Sequence, residues 1–257
     1  MKKLTNLFLL MIIASNTMFA QLKTIAYQDK EQKLNGVLAL PATKKTASPG
    51  ILILPAWKGI DNPSKNIATE LATLGYTVFI ADIYGEGNLP KDNTEAGKIS
   101  SYYKSHFVEY QKRIQLALEQ LIKNGATEDN IVVIGYCFGG TGALEAARGH
   151  LDVRGAVSFH GGLRNSSMRM NETSLSAKII VYNGADDKSV TNDDILNFEK
   201  EMRAGNADWQ FINYGNAVHS FTNPEAGNDN STGNAYNEKA AKRSFEHLKS
   251  FLKEVLK

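Results

Sequence analysis

A single cysteine in 257 residues is the first constraint on this chain. Cys137 cannot close an internal disulfide, so the fold must be held by a buried core, and a lone thiol needs another use. Proline is scarce at six residues, and neither repeats nor low-complexity tracts interrupt the chain, which excludes fibrous and solenoid architectures. Charge of one sign is lacking too. The formal net charge is +2, with Lys and Arg scattered instead of forming a basic stripe, so nucleic acid is not an expected partner. No cluster of His, Cys and carboxylates stands at metal-ligand spacing, so neither metal nor other cofactor is expected. Beyond residue 20 no apolar run approaches the roughly 20 residues that cross a bilayer.

What is present begins with Lys2 and Lys3, an apolar run over 7–14, and small and polar residues ending at Ala20. This is the layout of a secretory signal peptide, with cleavage expected after Ala20 and the mature chain expected in the periplasm or released, free of the membrane. Residues 21–257 suit one domain, and a composition of 42% hydrophobic and 22% charged residues can build its core.

Within that span strand-like and helix-like stretches alternate. Strands are predicted at TIAYQD from Thr24, LNGVLALP from Leu34, GILILPA from Gly50 and TVFIAD from Thr77. Four more follow at NIVVIGY from Asn130, VRGAVSFH from Val153, AKIIVYN from Ala177 and WQFINY from Trp209. The first two read as an antiparallel hairpin and the rest as parallel. Helical periodicity covers 64–74, 107–124, 139–148, 193–204 and 235–256, with Asn192 a plausible N-cap. Residues 85–96 and 223–234 read as loops. The pattern predicts an α/β fold with a mostly parallel sheet covered by helices on both faces.

Chemistry concentrates at Gly135-Tyr136-Cys137-Phe138-Gly139-Gly140, which follows the apolar IVVI and precedes the small-residue TGALEAA. This is the nucleophile elbow of α/β-hydrolases with cysteine in the serine position. Its glycines admit the close backbone approach of a sharp strand-to-helix turn. The turn aims the Phe138 N–H at a bound carbonyl, as one oxyanion donor, while the helix N-terminus favours a thiolate. A thiol gains from a base within hydrogen-bond reach. His219, in a loop after the last predicted strand, is placed for that role, whereas His106, His150 and His247 fall in or at the end of helical stretches. His160 ends a strand and could line the pocket. An acid that orients the histidine belongs in the loop Gly184-Ala185-Asp186-Asp187-Lys188-Ser189-Val190, where the residues alone do not separate the two aspartates.

At Gly-Tyr-Cys-Phe-Gly-Gly, the Gly-Ala-Asp-Asp-Lys-Ser-Val loop and Ala-Val-His-Ser-Phe, the chain resembles the dienelactone hydrolase family. The resemblance places the acid at Asp187. It implies an α/β-hydrolase fold, a Cys137-His219-Asp187 triad, and hydrolysis of small esters or lactones through an acyl-thioenzyme. It also implies that the Trp57 N–H completes the oxyanion hole. Three departures bear on substrate. The family's glutamate near the thiol reads Ala56, and the two arginines that clamp a substrate carboxylate read Glu86 and Asn223. An acid in place of a cation should repel an anionic lactone, so dienelactone is expected to be a poor substrate. Trp57, Tyr84, Tyr136, Phe138 and Phe221 are candidate pocket walls. The competing reading is a non-catalytic binding protein on the same scaffold, but a binder has no need of Cys, Asp and His together. Oligomeric state leaves no trace in the sequence.

Overall fold

The computed structural model describes residues 21–42, 48–165 and 174–257, and the export signal expected over 1–20 lies outside the described residues. The strands are β1 (Leu22–Asp29), β2 (Gln32–Ala39), β3 (Ser48–Leu54), β4 (Thr77–Ile80), β5 (Ala126–Tyr136), β6 (Gly155–Phe159), β7 (Lys178–Gly184) and β8 (Trp209–Tyr214). They form one sheet in the order β1-β2-β4-β3-β5-β6-β7-β8. β1 and β2 are an antiparallel hairpin, β2 joins β4 antiparallel, and every pairing from β4 through β8 is parallel.

Among the described residues six α-helices cover the sheet: α1 (Asn62–Thr73), α2 (Asn93–Ser105), α3 (Phe107–Lys123), α4 (Phe138–Arg148), α5 (Asn192–Ala204) and α6 (Glu238–Val255). Strand residues alternate between two buried layers, as the two-residue period of a strand requires. Leu52, Leu54, Val133, Ile179 and Val181 pack with Tyr110, Ile114 and Leu118 of α3, Ala143 and Leu144 of α4, and Phe198 of α5. Ile51, Ile53, Val132, Ile134 and Ile180 pack on the other face with Leu71 of α1 and with Leu248 and Leu252 of α6. A fully buried Leu, Ile, Val or Phe stabilises by roughly 1.5–3 kcal/mol, so these two layers dominate the stability of the sheet. No helix among the described residues is long and apolar enough to cross a membrane.

Three sequence expectations need correction. α2 was not predicted, and it starts inside the stretch 85–96 expected to be loop. Its buried residues Ala96, Ser100 and Tyr103 stand at helical spacing, but two are too small to register as an apolar stripe. The available signal was Asp92, whose carboxylate caps the helix by accepting from the Glu95 N–H at 2.8 Å. The N-cap of α5 is Thr191 instead of Asn192; it forms a reciprocal capping box with Asp194. β4 ends at Ile80, before the expected Ala81 and Asp82. Asp82 Oδ1 accepts from the N–H groups of Tyr84 and Gly85, and Oδ2 from that of Asn35, which draws the chain out of the ladder into a tight loop.

Candidate active site

The C-terminal ends of the parallel strands converge on one site, where open α/β sheets bind their ligands. Cys137 leaves β5 with φ 55° and ψ −113°, a conformation that costs a non-glycine residue free energy and lifts its side chain out of the strand-helix turn. The turn is close enough that a Cβ on Gly135 would lie 1.9 Å from the Gly139 carbonyl oxygen. One on Gly139 would lie 2.0 Å from the Leu54 carbonyl oxygen. Any side chain at either position would therefore push α4 away from β3 and β5.

The turns and loops after β5, β7 and β8 bring Cys137, Asp187 and His219 into one hydrogen-bonded line. His219, which follows β8, lies with Nε2 3.0 Å from Cys137 Sγ and Nδ1 2.8 Å from Asp187 Oδ2. Asp187, in the loop after β7, is buried, while Asp186 is exposed, so only the former can orient the imidazole. Ser189 was not nominated by the sequence. Its N–H and hydroxyl both donate to Asp187 Oδ1, at 2.9 and 2.6 Å, leaving Oδ2 for the histidine. A serine two residues after an aspartate is a turn signal that could have been read for this role. Burial raises the Asp187 pKa in isolation, but the hydrogen bonds from His219 and Ser189 override it and hold the carboxyl below its ordinary range. Burial likewise works to lower His219, yet its bonds to Asp187 and Cys137 prevail and raise it to about 10. The imidazole is thus poised to hold a proton between a carboxylate and a sulfur.

His160, at the end of β6, is buried with its ring edge-on to that of His219 at 5.2 Å, and its Nε2 lies 2.8 Å from the Thr222 hydroxyl. Burial, together with the adjacent His219, pushes its pKa well down, so it presents an uncharged wall to the histidine. His106 joins α2 to α3, stacked on Tyr102, and His247 lies in α6 beside the Tyr214 hydroxyl at 2.8 Å. Neither is part of the line.

Trp57 follows β3 in a turn closed by the Gly59 N–H donating to the Ala56 carbonyl at 2.9 Å. Phe138 opens α4. Among the described residues no acceptor engages the N–H of either one. Of the suggested wall residues, Tyr84, Phe138 and Phe221 are buried and Tyr136 stacks on Phe159 at 4.6 Å, so these rings are chiefly packing. Glu86 is exposed. Its carboxylate reaches Asn35 Nδ2 at 3.4 Å and lines a shallow groove with Tyr27 and Lys33. Asn223 is also committed, accepting from the Glu225 N–H at 2.9 Å. No group of three or more His, Cys, Asp or Glu among the described residues could hold a metal ion.

The profile of the dienelactone hydrolase family matches residues 34–256. The chain belongs to the dienelactone hydrolase family. It is 25% identical over 239 residues to a candidate carboxymethylenebutenolidase of Aquifex aeolicus, covering 91% of this chain and 98% of the relative. A candidate 2-oxo-3-(5-oxofuran-2-ylidene)propanoate lactonase of Bradyrhizobium sp is 27% identical over 183 residues, covering 67% of this chain and 73% of the other. The crystal structure of a dienelactone hydrolase-like promiscuous phosphotriesterase from metagenomic libraries superposes with a TM-score of 0.87 at 29% identity, covering 93% of this chain and all of that one. The chain is thus a dienelactone hydrolase-like enzyme that hydrolyses esters or lactones, on an α/β-hydrolase fold.

Proposed function

We propose that this hydrolase cleaves small, neutral or cationic carboxylic esters or lactones with Cys137 as nucleophile, His219 as base and acid, and Asp187 as the group that orients His219. The observation that carries the reading is the unbroken line of contacts Cys137 Sγ to His219 Nε2 at 3.0 Å and His219 Nδ1 to Asp187 Oδ2 at 2.8 Å. In the first half-reaction Sγ attacks the acyl carbon while His219 holds the thiol proton. The carbonyl oxygen becomes an oxyanion received by the N–H groups of Phe138 and Trp57. Collapse breaks the bond to the alcohol oxygen, which leaves with the proton from His219 Nε2. Water then gives a proton to His219 and attacks the thioester, releasing the acid and restoring the thiol. With alanine at position 56, no carboxylate there shares the base's task. Residues 1–20 act as an export signal and 21–257 as one hydrolase domain working in the periplasm or outside the cell, which the mass of the chain recovered from those fractions would check.

The test is intact-mass spectrometry of the mature protein mixed briefly with p-nitrophenyl acetate, beside Cys137→Ala and His219→Ala, while nitrophenol release is followed. Turnover lost in both variants, with one acetyl increment mapped to Cys137, is the expected result. Equal turnover in all three proteins with no adduct would sink the triad.

A further inference from the structure

We propose that Tyr84 and Tyr110 are positioning residues for the oxyanion hole, each holding through its hydroxyl the residue whose N–H faces the developing negative charge. The proposal rests on the hydrolytic reading above. The Tyr84 hydroxyl donates to the Trp57 carbonyl at 2.8 Å, and the Tyr110 hydroxyl donates to the Phe138 carbonyl at 3.1 Å. The same two residues are tied on their other side. The carbonyl that precedes the Trp57 N–H, that of Ala56, accepts from Gly59 at 2.9 Å, and the one that precedes the Phe138 N–H, that of Cys137, accepts from Thr141 at 3.2 Å. Each donor residue is thus held by hydrogen bonds on both flanking carbonyls, although one lies in a loop after β3 and the other at the start of α4. Two N–H groups on different elements can stabilise one oxygen only if their relative position is held to a fraction of an ångström, and the pairing of β3 with β5 ends at Leu54 and Gly135, which leaves a further link between Trp57 and Phe138 to contacts beyond the ladder.

The tyrosines supply that link. The Tyr84 ring lies 5.7 Å from the Phe138 ring, and Tyr110 stacks on the same ring at 4.6 Å with planes 1° apart, so a hydroxyl bonded to Trp57 is packed against Phe138. The remainder of the neighbourhood is shaped around them. Asp82 Oδ1 anchors the Tyr84 backbone N–H at 3.1 Å, and a Cβ on Gly142 would lie 2.3 Å from the Tyr110 oxygen. Burial raises both phenols far above their ordinary pKa, so they remain donors throughout the working pH range.

Tyr84→Phe and Tyr110→Phe remove the hydroxyls and keep the ring packing. Each should lower kcat for p-nitrophenyl acetate about 10-fold, less than the 10²–10³ of deleting a direct oxyanion donor, with KM within about twofold. Alkylation of Cys137 by iodoacetamide forms no oxyanion, so its rate and its pH profile should match wild type in both variants. The assignment is overturned for either tyrosine if its variant keeps wild-type kcat, or if alkylation slows in proportion to turnover. Where Tyr110→Phe fails to fold, as shown by lost cooperative melting, Tyr84→Phe decides the proposal alone. A wild-type protein that neither turns over ester nor takes an acetyl group on Cys137 overturns the hydrolytic reading itself. An active wild type with unaltered Phe variants overturns only the positioning role.

Discussion

Helix α4 carries a strained nucleophile at its first turn and a buried ion network at its last, and the two ends show different uses of the same buried helix. At the start, Cys137 adopts φ 55° and the helix packs so closely on β3 that glycine is required at position 139. At the end, Arg148 forks onto Glu201 through Nε and Nη2 at 2.8 and 2.7 Å, reaches Glu145 at 3.1 Å, and donates to the Leu163 carbonyl at 2.8 Å. Its side chain is 1% exposed. Local strain at the first turn serves chemistry, whereas the charges at the last turn tie α4 to α5 and to the chain after β6. The difference teaches that burial alone does not identify the working end of a helix. A nucleophile must be held against a backbone that would relax, while a structural charge must be surrounded by partners.

The comparison breaks most sharply at Cys137. Cys137→Ala should reduce esterase turnover by at least about 10⁴-fold, as loss of a triad member does, with a Tm close to wild type because alanine bears the same positive-φ strain and gives up only the contacts of Sγ. Steady-state kinetics and calorimetry measure both, and a large fall in Tm would contradict the division between the two ends. Next in size is Gly139→Ala, whose Cβ meets backbone instead of a yielding side chain. It should prevent cooperative folding or cost several times the ~1–3 kcal/mol of ordinary overpacking, read from urea unfolding. Arg148→Ala should cost about 3–5 kcal/mol by leaving buried carboxylates without their cation, while kcat of the folded fraction stays within about threefold. A variant that keeps its stability and loses its activity would move the last turn of α4 into the catalytic machinery.

The smallest effect concerns pH. His219 is raised to about 10 in the folded protein, against about 6.5 when unfolded. Its stabilising contribution is therefore complete below about pH 6.5 and is lost as pH rises through 10. Asp187→Asn removes one of the bonds that raise it, so the imidazole titration followed by NMR should fall by about 1–3 units. An unmoved titration in that variant would assign the raised value to Cys137 instead of Asp187.

Much of the fold could be read along the chain because strand and helix periods leave their marks locally. All eight strands lie where alternating or continuous apolar runs are bounded by turn residues, and five of the six helices carry a visible apolar stripe. α2 escaped because Ala96 and Ser100 are buried by virtue of being small, a property that depends on what lies above them. The elbow was legible because its glycines and cysteine fall within six consecutive residues. Ser189, His160, Tyr84 and Tyr110 acquire their contacts to the site from the tertiary structure, although the sequence had suggested His160 and Tyr84 as lining residues. Glu86 likewise gains a partner that no motif marks, Asn35 Nδ2, which donates to its carboxylate at 3.4 Å.

The sequence by itself determined the alternation of elements and the strand-turn-helix that carries Cys137, since each depends on spacing within a short segment, and the chain order of cysteine, aspartate and histidine, which is read directly along the chain. The residues alone left two adjacent aspartates open and only the family resemblance chose Asp187; the tertiary structure decided how that carboxylate meets His219, where the Glu86 carboxylate goes, and which hydroxyls hold Trp57 and Phe138. Those outcomes depend on hydrogen-bond partners 27 to 51 residues apart in the chain, brought within 2.8–3.4 Å by the packing of the sheet against its helices, a distance that no local pattern encodes.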